Sequence, residues 1–283
     1  MDPREQSRVK TRQLLLCLLS ALLVTANVPA SVPALPIGAK AEWAVSGPEE
    51  IVLYLAFDPE HVQDRLPSHL RFITVEELAA GGIAWAREFL VRHPAKGSWG
   101  VSFLELVRTR TFTIAGRAPA WPSNAAVALW FARVGPSRSS PDLGPGQPLL
   151  ALEFWMPDRA YVKYMKTSGY YSSYGEARLS RTRGGHWTGT LAIDGLAVEA
   201  ECSPGGPVTG GPSSAGMQVI FPPATSTVTG LVRLAFAGHR EQACGGVQSW
   251  TIRGPHPLAG AVVLGPPTFQ FGYRLRGGAY PAL

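Results

Sequence analysis

Five of the eight tyrosines fall within 14 residues: Tyr161, Tyr164, Tyr170, Tyr171 and Tyr174. Lys163 and Lys166 are interleaved with them in DRAYVKYMKTSGYYSSYGEARL. Amphipathic phenol rings can cover the rim of a curved sheet, or they can wall a pocket and offer hydroxyl groups to a ligand. Two lysines three apart on a helix are neighbours, so each ammonium disfavours the charge of the other. The plainer reading is two solvated lysines on a short helix begun by Asp158.

Common chemical signatures are missing elsewhere. The chain has no HExxH, CxxC, P-loop, GxSxG or GxGxxG. His61, His69, His93, His186, His239 and His256 are dispersed. The spacing of His239, Cys244 and His256 is weak evidence for a metal, and surface or structural roles are expected of them. No metal or cofactor is implied. No Ser-His-Asp set is nominated, although its members need not be close in sequence.

The elements that must position these groups are mostly strands. IVLYLAF over 51–57 reads as a buried strand. Asp58 can cap a short helix with Pro59 in its first turn, closed by Leu66-Pro67. Residues 76–92 are helical in pattern, with Gly81-Gly82 as a weak point. Strand-like runs then recur at 99–107, 109–115, 126–134 and 149–156. Later runs are 189–193, 196–200, 217–221, 230–237, 247–252, 261–264 and 268–275. The Gly/Pro/Ser stretches 135–148 and 203–216 read as turns or loops rather than domain linkers. No repeat of 20–50 residues is present. The sum is one β-rich domain, a barrel or strongly curved sheet with few helices.

Composition agrees. The chain has 283 residues, 46% of them hydrophobic, enough to bury a sizeable core. Only 16% are charged, which argues against long solvated helices. Gly and Pro number 31 and 25, which favours many turns. Of 26 basic residues only five are lysine: Lys10, Lys40, Lys96, Lys163 and Lys166. The arginines are scattered, with no basic stripe among aromatics, so nucleic-acid binding is not supported.

Residues 1–26 read as a secretory signal: a basic head, the apolar run LLLCLLSALLVTA and small residues at its end. A helix over that run would span about 20 Å, too short for a bilayer core of about 30 Å. The expected location is therefore secreted or periplasmic. An uncleaved N-terminal anchor is the alternative, and membrane contact is expected only in that case. Residues 27–48 form a Pro/Ala-rich leader, and 49–283 a single domain. Cys202 and Cys244 remain after cleavage; they could form one disulfide or stay separate buried thiols.

The order of segments resembles the acetoacetate decarboxylase-like superfamily, from about Ile51 to Leu275. IVLYLAFDPEHVQDRLPSHLRF is similar to its opening strand, short helix and Leu-Pro turn. WTGTL followed by DGLAVEA is similar to its Gly-Thr-Leu hairpin. MQVIFP resembles the strand that opens its second half, and HPLAGAVVLGPPTFQFGYRL its closing strands. The resemblance implies an α+β, predominantly β fold: a closed barrel or cone with a few short helices and an interior pocket. It also implies a ligand, a small keto acid or related carbonyl or carboxylate compound, and a possible homo-oligomer.

The chemistry so implied needs a lysine amine. The amine attacks a ketone to form a Schiff base, whose iminium accepts the electrons released as carbon dioxide leaves. It must be unprotonated, which a hydrophobic pocket and an adjacent cation achieve; acetoacetate decarboxylase is the usual example of that rule. Counting back from Gly189 without gaps puts the family's paired-lysine motif at Tyr171-Ser172-Ser173-Tyr174. The amine position falls on Ser173 and its partner on Tyr174. Glu105 resembles a glutamate that faces the family pocket. Glu153 falls where the family has Gly-Arg-Glu, with Leu152 in place of the Arg.

Two functions follow. In one, the protein is a carbon–carbon lyase on a keto acid, of decarboxylase or aldolase/dehydratase type. Lys166 or Lys163 would be the Schiff-base amine and Glu105 the acid/base or positioning group. In the other, it is a diverged binding protein without that mechanism, in which Ser173, Tyr174, Tyr171 and Glu153 contact the ligand. The gap-free register favours the second.

Overall fold

The first long strand, EEIVLYLAF, is apolar on both of its faces and so packs against different core regions on either side. The computed structural model describes residues 42–114, 125–137, 148–167, 171–210, 216–221, 230–245 and 250–280. The expected signal and most of the leader, residues 1–41, lie outside the described residues, as do Tyr170 and loop residues 138–147 and 211–215.

The sheet begins within the expected leader, at β1 (Glu42–Ser46), which pairs with both β5 (Thr111–Ile114) and β18 (Arg274–Tyr280). The central strands are β2 (Glu49–Phe57), β4 (Gly100–Arg108), β6 (Ala125–Pro136) and β7 (Pro148–Met156), joined antiparallel in that order. β3 (Leu70–Phe72) extends β6 on another edge. β7 pairs in parallel with β8 (Ser172–Tyr174) and with β12 (Gly216–Phe221). β12 continues through β13 (Gly230–Ala237) to β18. A second layer contains β9 (Glu176–Arg181), β10 (Trp187–Ile193), β11 (Leu196–Gly210) and β15 (Trp250–Arg253). β14 (Arg240–Gly245), β16 (Val262–Val263) and β17 (Thr268–Phe271) complete the set, β14 pairing with β11 and β17, and β16 and β17 with β2.

Ile51, Leu53, Leu55 and Phe57 of β2 face the second layer, with Leu104 and Leu106 of β4 and Trp130 and Ala132 of β6. Leu179, Trp187, Leu191 and Val198 meet them from the other side. This is the layered face. Val52, Phe103, Val107, Val127, Phe131 and Phe154 point the opposite way, toward Phe112, Val219 and Tyr273. This is the enclosed face, because the path β2–β4–β6–β7–β12–β13–β18 curls back on itself. Tyr273, the residue just before β18, donates its hydroxyl to Glu50 Oε2 of β2 at 3.0 Å and so links the two ends of that path. Complete burial of each large apolar side chain here contributes about 1.5–3 kcal/mol.

The helices follow the local signals. Asp58 Oδ1 accepts from Glu60 N at 3.0 Å and opens a 3-10 helix over Pro59–Arg65. Thr74 and Glu77 cap each other at the start of α1 (Val75–Ala80). Gly81 and Gly82, the latter at φ +94°, break the run before α2 (Ala84–Arg92). Asp158 accepts from Ala160 N and Tyr161 N and starts α3 (Arg159–Thr167) as expected. Among the described residues, no helix is long and apolar enough to cross a membrane.

One loop expectation is corrected. Residues 203–210 belong to β11 and pair with β14 across a register shift between Gly205 and Thr209. Backbone pairing does not require apolar side chains, and Cys202 is tied to Cys244 by a disulfide with Cα atoms 5.0 Å apart. That bond holds the irregular strand against its neighbour.

Candidate functional site

A single extra residue in β7 builds the first cluster. Trp130 stands opposite Glu153 and Phe131 opposite Ala151, so Leu152 is unmatched. Such a bulge resets the alternation of side chains. Glu153 therefore shares the layered face with Trp130 instead of the enclosed face with Ala151. The Leu152 carbonyl accepts from Arg65 Nη1 at 2.8 Å. The same guanidinium nitrogen reaches Glu153 Oε2 at 3.2 Å. Arg65 closes the 3-10 helix begun by Asp58, and its guanidinium lies 5.1 Å from the centre of the Tyr171 ring.

Ser173 stands beside Trp155 in the β7–β8 register, and its hydroxyl donates to Glu153 Oε1 at 2.8 Å. His256 completes the cluster. Leu258 N donates to its Nδ1 at 3.1 Å, which leaves Nε2 to carry the ring hydrogen. Nε2 donates to Glu153 Oε2 at 3.3 Å. The imidazole lies edge-to-face with Trp130 and Trp155 at 5.9 and 5.6 Å.

Burial alone would push the Glu153 carboxyl up. Hydrogen bonds from His256 and Ser173, and the charge of Arg65, outweigh it and hold the carboxyl below its ordinary range. Glu153 is thus an ionised acceptor and a weak base. The Ser173 proton points at that weak base, so its oxygen is not activated as a nucleophile. His256 has both ring nitrogens engaged. This arrangement holds groups in place and has no free base.

Glu105 lies elsewhere. It stands opposite Val52 and Leu129, on the enclosed face. Glu50 is its same-face neighbour on β2, one pairing step away. Gln270 of β17 is opposite both Glu50 and Glu241, so the two carboxyls lie in one row across three strands. Burial pushes the Glu50 carboxyl up to about 7; the Tyr273 hydrogen bond opposes this and Glu241 adds to it. Burial, then the nearness of Glu50, push Glu105 well above the ordinary range. A carboxyl that keeps its proton is a donor to a carbonyl oxygen.

The structure therefore divides the expected set. Glu153, Ser173 and Tyr171 meet around Arg65, while Glu105 is on the other face of the sheet. Tyr174 turns away from Ser173: its ring lies 4.1 Å from the Arg159 guanidinium carbon, and its hydroxyl is 3.5 Å from Glu176. Lys163 and Lys166 are exposed, because Tyr161, Val162 and Met165 form the buried side of α3. Neither lysine lies in apolar surroundings. Arg65, His256, Glu50 and Tyr273 were not expected in a site. The signal for the first two was their place in segments that carry the resemblance: Arg65 ends the opening helix, and His256 begins the closing segment. Among the described residues, no group of three or more His, Cys, Asp or Glu side chains is placed to hold a metal.

No family model and no curated protein matches the sequence. Solved structures do. The enduracididine biosynthesis enzyme MppR complexed with pyruvate superposes with TM-score 0.53 at 12% identity, over 89% of this chain and 94% of that one. MppR complexed with the condensation product of pyruvate and imidazole 4-carboxaldehyde gives 0.51 at 14% identity, over 91% and 97%. An acetoacetate decarboxylase-like enzyme from Sphingomonas wittichii RW1 gives 0.49 at 16% identity, over 92% and 99%. The likeness is one of fold. The chain has the acetoacetate decarboxylase-like fold, α+β and predominantly β.

Proposed function

We propose that this protein binds a small carbonyl or carboxylate compound and does not form a Schiff base with it. One observation carries the reading: the hydroxyl of Ser173, the residue on which the resemblance puts the amine position, is held by Glu153. The exposure of Lys163 and Lys166 supports it, since neither amine is shielded. The ligand lies on the enclosed face, where protonated Glu105 donates to its carbonyl oxygen. MppR is described in complex with pyruvate, a keto acid of the size proposed. The Cys202–Cys244 disulfide supports an oxidising compartment, secreted or periplasmic.

The test is borohydride reduction in the presence of pyruvate or acetoacetate, followed by intact mass, alongside calorimetric titration of the same compounds. Binding without a covalent adduct is expected. An adduct mapped to Lys163 or Lys166 would overturn the proposal and establish the lyase reading.

A further inference from the structure

Arg133 is a cation in a wall of apolar residues. It follows Phe131 on the enclosed face of β6 and stands opposite Leu149 of β7. It keeps some contact with water, yet burial lowers its pKa. A group walled in on most sides but still wetted lines a narrow cleft. Arginine stays protonated in proteins, so the charge persists there. A buried charge is costly unless it is paired. Among the described residues, no carboxylate forms an ion pair with Arg133, and no acceptor takes a hydrogen bond from its guanidinium.

Two hydroxyl groups share this region. Tyr54 of β2 is opposite Phe103, which is opposite Phe131, so its ring belongs to the row next to Arg133. It also keeps some water contact. Thr268 of β17 is opposite Val52 on the same face. Its Oγ1 is shut off from water and has no hydrogen-bond partner among the described residues. Thr268 is near enough to influence the Tyr54 hydroxyl, but no hydrogen bond of normal geometry joins them. A cation without an ion pair among the described residues, and two neighbouring hydroxyl groups on the same face, match the oxygens of a small acid.

We infer that Arg133, with Tyr54 and Thr268, is the carboxylate-binding end of the enclosed face, and that its ligand is a small monocarboxylate with a second oxygen, the chemical class of the 2-keto acids. The carboxylate pairs with the guanidinium, and the hydroxyl groups take the remaining oxygen. This rests on the binding function proposed above and adds which residue selects an acid over a neutral ketone.

The experiment is calorimetric titration of the full chain with pyruvate and, as the charge-free control, acetone. Wild type is compared with Arg133→Gln, Arg133→Lys and Tyr54→Phe, each checked for folding by circular dichroism. Wild type is expected to prefer pyruvate, and Arg133→Gln to lose about tenfold or more of that affinity, as expected for a charge-assisted pair. Arg133→Lys should fall between them, and acetone should bind all forms alike. Equal binding of pyruvate and acetone by wild type overturns the inference without reference to any variant. Undiminished pyruvate affinity in folded Arg133→Gln also overturns it, while the binding function stands. Failure of wild type to bind either compound overturns both.

Discussion

The Ser173 hydroxyl donates to one oxygen of Glu153 while Arg65 and His256 hold the other. Ser173, on which the resemblance puts an amine, thus serves to orient a carboxylate. That role differs from nucleophilic attack and makes opposite demands. A carboxylate beside an amine favours the ammonium, whereas Schiff-base chemistry needs the free amine.

Replacing Ser173 by lysine will therefore not create a Schiff-base enzyme. The new ammonium would sit beside ionised Glu153 and keep its proton. Borohydride with pyruvate should leave Ser173→Lys unmodified at neutral pH. Efficient trapping at position 173 would show that Glu153 does not control the charge there.

Glu153→Gln should destabilise the fold by about 1–3 kcal/mol at neutral pH, because Arg65 is left with a neutral acceptor in a largely buried setting. The acid side gives the sign. The folded-state pKa of Glu153 lies below its unfolded value, so its contribution is complete above about 4.5 and is lost as pH falls through the folded value. Urea midpoints at pH 7 and pH 3 should differ less in the variant than in wild type.

Glu50 acts in the opposite sense. Its carboxyl is raised from 4.5 to about 7, so the folded chain holds the proton more tightly than the unfolded one. Stability therefore falls as pH rises across that window and stays reduced above it. Glu105 shifts in the same direction, and Glu241 and Tyr273 share the row. Glu50→Gln should flatten this limb and gain at most on the order of 3 kcal/mol at pH 8 relative to pH 5. Denaturant midpoints at the two pH values measure it.

Gly189, in the Gly-Thr-Leu segment, lies where the second layer presses on the central sheet. A Cβ there would meet Leu106 Cδ1 at 2.6 Å and Ile51 Cδ1 at 3.4 Å. Both neighbours are fully buried, so they cannot move freely. Gly189→Ala should cost about 1–3 kcal/mol by overpacking. Gly260→Ala, with nothing within 4 Å, is the control and should stay within about 0.5 kcal/mol of wild type. Thermal melts of the two variants provide the comparison.

The strands of the central sheet were legible because IVLYLAF, SFLELV and LLALEFWM are apolar runs between turn residues. β8 and β9 were not, since SSY and EARLSR carry little apolar signal. Glu153 and Ser173 could be named from the resemblance. Arg65 and His256 could not be joined to them, because they lie 88 and 103 residues from Glu153. Glu105 and Glu153 were expected in one pocket, and the Leu152 bulge is the physical reason they part. Strict alternation would put Glu153 on the side of Ala151 and hence of Glu105. The lysines of α3 followed simple helical geometry: with Tyr161, Val162 and Met165 facing inward, positions 163 and 166 face water.

Leu152 has a consequence for how such a protein changes over generations. In β7 the compartment that receives a carboxylate depends on how many residues precede it, not on which residues they are. Gain or loss of one codon upstream of Glu153 could move its charge from one side of the sheet to the other while every side chain stayed the same. A strand of this kind can exchange one set of neighbours for another by a change of length alone. Length variation at this bulge would be a short route by which the scaffold moves a carboxylate from one face of the sheet to the other.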